Sequence, residues 1–245
     1  MQEPFLALPL AKATPDLSIS QGWLYSEDER SIHPVIPVHY GVDVPLPWGT
    51  PIFAAADGWA VASYHTNDIV DSQGRTIGFG LGLFVQIWHE EPELYSLYAH
   101  LSGLNEAHFS AINGCFIPYI EPVLEGGSWQ PRGGLYLPVD EFIGQAEPVI
   151  KGDLIGYAGY TGLRLDYDET PAYIPNIDPA MHKTWDPHGS HLHFEVYTRT
   201  PDGAMKDKRY DPFGLYGERD QYADVFTKAH GLILANPDGS PQFAR

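Results

Sequence analysis

The chain has 245 residues, with 14 Lys and Arg against 32 Asp and Glu, for a formal net charge of −18 at pH 7. That charge repels a phosphate backbone and sets nucleic acid aside as a partner, while 43% hydrophobic and 13% aromatic residues exclude a disordered acidic tail and supply a core. The only cysteine, Cys115, excludes an intramolecular disulfide and a cysteine-based zinc knuckle, and no apolar run reaches the roughly 18 residues of a spanning helix.

Gly (25) and Pro (22) together make about a fifth of the chain, a composition that favours turn-rich β structure over a helical bundle. The opening Met1-Gln2-Glu3-Pro4-Phe5 carries an acid and a proline where a signal peptide has basic residues, and Pro9 breaks the short apolar run Phe5–Ala11. Val35–Val44 is rich in Pro and β-branched residues and reads as extended. Pro51–Ala55 and Trp59–His65 flank Asp57-Gly58, a dipeptide that predicts a tight hairpin. Leu81–His89 and Leu94–Leu101 predict a second pair of strands around the polar turn Glu90-Glu91-Pro92-Glu93. Val149–Ala158 and His191–Thr198 are further strands, and Asp220–Lys228 is the one stretch read as helix. Two Gly-, Pro- and aromatic-rich segments, Ser102–Glu147 and Leu163–Ser190, interrupt this rhythm as long loops. The sum is a single, mainly antiparallel all-β domain with few short helices.

Three short patterns among the eleven histidines carry chemistry. His39 and Asp43 stand four apart around Gly41; Tyr98-Ala99-His100-Leu101 contributes one imidazole; His191-Leu192-His193 contributes two. Strand side chains alternate faces, so His191 and His193 share one face, and His39 shares one with Asp43 if that segment is extended. The same rule puts Tyr98 on the face of His100. Two imidazoles and a carboxylate suit a catalytic zinc, which takes three protein ligands and keeps one position for water. The five residues exceed that need, leaving the surplus imidazoles for acid–base or oxyanion work. The seven other histidines fit no such arrangement. A His-Glu-x-x-His pattern is absent, because His89-Glu90 runs on into Glu91-Pro92-Glu93.

In order along the chain, HYGVDVPLPWGTPIFAAADGWAV (His39–Val61), GFGLGLFVQIWH (Gly78–His89), LYAHLS (Leu97–Ser102), VIKGDLIGYAGYTG (Val149–Gly162), GSHLHFEV (Gly189–Val196) and DPFGLYG (Asp211–Gly217) resemble the blocks of the lysostaphin-type zinc metalloendopeptidases, also called beta-lytic or LytM-like. The resemblance implies His39, Asp43 and His193 as zinc ligands, one Zn2+ per chain, and His100 and His191 as catalytic histidines. It also implies a mostly antiparallel sheet with a long groove, and hydrolysis of peptide bonds in peptidoglycan cross-bridges or stem peptides.

On that reading the peptidase domain spans 20–217, with insertions at about 102–147 and 163–190 that fall where the family's groove-wall loops lie. Residues 1–19 and 218–245 are then extensions. The expected partners are peptidoglycan peptides and the expected place is the cell envelope or outside the cell, although the sequence shows no signal peptide. Two other readings stay open: a non-catalytic peptidoglycan-binding or hydrolase-activating envelope protein of the same fold, and a zinc peptidase acting on non-wall peptides.

Overall fold

A computed structural model of the chain describes residues 5–11, 19, 39–70, 76–109, 123–125, 128–130, 143–159, 161, 190–200, 206–212 and 226–228. Twelve strands run through them in chain order: β1 (Val42–Pro45), β2 (Pro51–Phe53), β3 (Gly58–Val70), β4 (Thr76–His89), β5 (Leu94–Leu104), β6 (Val123–Glu125), β7 (Ser128–Gln130), β8 (Glu147–Val149), β9 (Leu154–Ala158), β10 (His191–Arg199), β11 (Lys206–Asp211) and β12 (Phe226–Lys228). The one helical turn among the described residues lies at 143–145. None of these elements is a helix long and apolar enough to cross a membrane.

Ten strands build one sheet. Its main path is β12-β11-β10-β5-β4-β3-β8, with β1 beside β10 and with β9 pairing both β2 and β5. The pairings are antiparallel except for β11 with β12. The expected all-β class is therefore the observed one.

Alternation along the central strands separates two apolar layers. On one face Leu192, Phe194 and Val196 of β10, Tyr98 and Leu101 of β5, and Leu83, Val85 and Ile87 of β4 pack with Val42, Val44, Ile52 and the N-terminal Leu6, Leu8 and Leu10. On the other face lies a smaller layer of Val61, Phe84, Trp88, Tyr95, Leu97, Ala99 and Tyr197. The segment around Leu10 is tied to the sheet by a bridge to Ile52 and by the Phe53 N–H bond to the Pro9 carbonyl, 3.0 Å.

Several expectations change. Asp57-Gly58 does not close a hairpin, because β2 pairs β9 while β3 pairs β4 and β8. Asp57 is instead pinned to neighbouring elements: its Oδ1 accepts the Lys151 N–H at 2.7 Å and its carbonyl accepts the His89 ring at 2.8 Å. The run Val149–Ala158 is two strands, β8 and β9, separated by a turn in which Gly152 has φ 91°. Phe226–Lys228, read as the end of a helix, is an edge strand parallel to β11, whose open backbone groups it satisfies; 220–225 lie outside the described residues. So does most of the two expected insertions (110–122, 126–127, 131–142 and 163–189), with His33, His182, His188 and His230.

His89 shows what a histidine away from the three patterns does here. It is fully buried, its Nδ1 faces the Asp57 carbonyl, and its Nε2 lies 2.9 Å from Ser96 Oγ, which is 3.0 Å from the Tyr98 hydroxyl. The Ala55 N–H donates to that same hydroxyl at 2.9 Å. With a neutral ring this chain has a single proton order: Tyr98 donates to Ser96, Ser96 to His89, and His89 to the Asp57 carbonyl. Burial, outweighing the Asp57 carbonyl and charge, pushes the His89 pKa down to about 4.

A base held neutral in the fold binds its proton only after unfolding, so its contribution is complete above pH 6.5 and is lost as pH falls towards 4. The interval from 6.5 to about 4 corresponds to about 3 kcal/mol. Denaturant unfolding at successive pH values should show the wild type losing up to about 3 kcal/mol more than His89→Gln across that window. Parallel stability curves would rule out this account of His89.

Candidate metal centre

The site is assembled by one antiparallel register. In the β1–β10 ladder Val42 faces Phe194, Asp43 faces His193 and Val44 faces Leu192. Directly opposed residues project on the same side of the sheet, so the apolar pairs enter the larger core while Asp43 and His193 share the other face. His39 precedes β1 and reaches the same point because the chain bends at Gly41. A Cβ on Gly41 would stand 2.5 Å from the Phe194 carbonyl and 3.0 Å from His193 Cε1. What Gly41 admits is thus the backbone of β10 itself.

Three donor atoms converge there. His39 Nε2 lies 3.1 Å from Asp43 Oδ1 and 3.1 Å from His193 Nδ1, and His193 Nδ1 lies 2.8 Å from Asp43 Oδ1. The three residues are 5–7% exposed, which removes solvent as a partner for these lone pairs. Three electron-rich atoms in such a triangle repel one another unless a proton or a cation lies among them. Donors bound at about 2.0–2.1 Å round a tetrahedral zinc stand about 3.4 Å apart, so a slight expansion of this triangle accommodates the ion. Two imidazoles and one carboxylate are also a donor set that zinc accepts. The residues fit.

The surroundings favour the same conclusion. His193 Nε2 lies 3.1 Å from Glu195 Oε1, and Lys206 Nζ donates to Glu195 Oε2 at 2.5 Å. A carboxylate on the far nitrogen fixes a ligating imidazole's tautomer and raises its basicity. Burial disfavours charge on His193, but the hydrogen bonds and charges of Asp43 and Glu195 prevail and lift its pKa to about 9. Burial likewise opposes ionisation of Glu195, yet the Lys206 charge and His193 hold its carboxyl well below the usual range. Asp43 is held low against burial by His39 and His193.

His100 and His191 stand beside this trio. Their rings are 4.7 Å apart, His100 is 5.6 Å from the His193 ring, and His191 Nε2 is 3.6 Å from Asp43 Oδ2. Burial, then the neighbouring His191 and His193, push the His100 pKa well below 6.5. All five sequence-derived residues are therefore brought together.

Tyr98 is not. His100 has φ 61°, and the β4–β5 register shifts between Leu83 and Val85 so that Ala99 and His100 oppose one residue. This bulge reverses the alternation, sending Tyr98 into the core and His100 to the histidine face. The Tyr98 hydroxyl is engaged by Ser96 and Ala55, and burial raises its pKa to about 12. Sequence reasoning missed Glu195, which is two residues from His193 on the same strand face, as the alternation rule could have shown. It also missed Lys206, for which no local signal exists because β11 brings it in from a distant segment.

No protein-family model and no curated protein matches the chain. Solved structures do. Csd3 of Helicobacter pylori aligns at 21% identity over 80% of this chain and 30% of its own, with a TM-score of 0.36. A zinc-containing peptidase from Vibrio cholerae aligns at 18% identity over 84% of this chain and 39% of its own, with a TM-score of 0.39. The antimicrobial peptidase lysostaphin from Staphylococcus simulans aligns at 16% identity over 95% of this chain and 64% of its own, with a TM-score of 0.41. The chain thus spans between 30% and 64% of the length of these proteins.

The Glu195–Lys206 pair yields a test of the scaffold. Removing one member of a buried ion pair leaves the other uncompensated, so Lys206→Met should lower unfolding stability by about 3 kcal/mol. The double variant Lys206→Met/Glu195→Gln should recover part of that loss. Equal losses in the single and double variants would show that the pair is not coupled.

Proposed function

We propose that the chain is a zinc-dependent metalloendopeptidase that hydrolyses peptide bonds in bacterial peptidoglycan cross-bridges or stem peptides, acting in the cell envelope or outside the cell. The observation that carries this reading is the convergence of His39 Nε2, Asp43 Oδ1 and His193 Nδ1 to 2.8–3.1 Å, with two further imidazoles alongside. The wall-peptide substrate is supported by the ordered motif resemblance from His39 to Gly217.

His39, Asp43 and His193 would hold the ion, with Glu195 orienting His193 from behind. Zinc in such a site supplies Lewis acidity and brings the pKa of water towards about 7. The protein's own groups manage the proton. The Thr161 carbonyl can only accept, so the His100 Nδ1 2.9 Å away carries its hydrogen, and Nε2 of the neutral ring presents a lone pair. His100 Nε2 therefore takes the proton from the attacking water and passes it to the leaving amine. His191 donates an N–H to the charge that develops on the scissile carbonyl oxygen.

Incubating the zinc-loaded protein with purified peptidoglycan of Gly-bridged and directly cross-linked types, followed by mass analysis of the fragments, should identify the cleaved bond. Release of no fragment from either type would refute the substrate class. His39→Ala and Asp43→Ala should lose both bound zinc and hydrolysis. His100→Ala should keep its zinc while turnover falls by about 10²–10⁴; full activity in that variant would remove His100 from the role.

A further inference from the structure

Beside the histidines one residue is engaged on every side. Thr161 lies where the β4–β5 ladder skips a residue, and its side-chain hydroxyl fills the gap. The Leu83 N–H donates to Thr161 Oγ1 at 2.8 Å, and Oγ1 donates to the Leu101 carbonyl at 2.7 Å. The same residue's carbonyl accepts His100 Nδ1–H at 2.9 Å. Gly82, at φ 61°, makes room for it: a Cβ there would collide with the Thr161 carbonyl. The residue that Thr161 restrains is itself in the left-handed region at φ 61°, a conformation a non-glycine residue keeps only where its surroundings impose it.

We propose that Thr161 is the positioning residue of His100: its hydroxyl bridges β4 and β5 across the bulge, and its carbonyl thereby fixes the imidazole as the Nδ1–H tautomer with Nε2 turned to the reaction. This rests on the reading of His100 as proton acceptor. The two halves of Thr161 act together. A valine of the same shape would leave the Leu83 N–H and the Leu101 carbonyl without their bridge, and the carbonyl would no longer be held at one distance from the ring. A serine keeps both hydroxyl bonds.

The test uses the zinc-loaded full chain with nitrogen-15 labelled histidine. In the wild type, ring-nitrogen NMR should show His100 with a pyrrole-type Nδ1 and a pyridine-type Nε2. The opposite tautomer in the wild type would overturn the proposal without any variant being made. Thr161→Val should populate the second tautomer and lower kcat by about 10–100-fold, with KM and zinc content unchanged. Thr161→Ser should restore both the tautomer and most of kcat. An unchanged tautomer and kcat in Thr161→Val, or a fall in kcat that follows zinc loss, would overturn the proposal. Because the tautomer is read without substrate, a wild type that cleaves no peptidoglycan would count against the hydrolase reading and leave the positioning of His100 to be decided by the spectra.

Discussion

Two imidazole nitrogens and a carboxylate oxygen held about 3 Å apart in a water-poor pocket repel one another unless positive charge lies between them. The register of β1 against β10 creates that situation. Opposing Asp43 to His193 while Val42 and Val44 meet Phe194 and Leu192 makes hydrophobic burial and donor placement the same event. A one-residue slip of β1 would send its valines out of the core and turn Asp43 into it. The larger apolar layer therefore enforces the geometry of the polar site. Gly41 adds the bend that lets His39 complete the triangle, since a side chain there would strike the β10 backbone.

Around the triangle, the polar groups are arranged in successive layers. Glu195 lies behind His193, and Lys206 behind Glu195, so negative charge alternates with positive from Asp43 outward through buried groups. His100 is handled differently: a β-bulge turns it out of the core, and a backbone carbonyl steadies its ring. One imidazole is tuned by a carboxylate and the other by a neutral acceptor, a contrast that accords with the proposed roles of metal ligand for His193 and proton carrier for His100.

Much of this was legible in the sequence because it depends on short-range pattern. His191-x-His193 and His39-x-x-x-Asp43 reveal themselves by alternation, and Leu81–His89 and Leu94–Leu101 by their apolar runs. What escaped was set by pairing at a distance. Asp57-Gly58 has the composition of a hairpin turn, yet β2 leaves it for β9. Phe226–Lys228 looked helical but is an edge strand, because β11 offers it a partner. Tyr98 was placed beside His100 by strict alternation, which the bulge at His100 breaks. Thr161 and Lys206 carry no signal in their own neighbourhoods, since each matters through the strands that it meets.

On the proposed function, His39, Asp43 and His193 share one cation. A crystal of the zinc-loaded protein measured at the zinc absorption edge tests it directly. One anomalous peak is expected within about 2.0–2.2 Å of His39 Nε2, Asp43 Oδ1 and His193 Nδ1. A fully loaded crystal with no peak there, or with its zinc held by other residues, would contradict it.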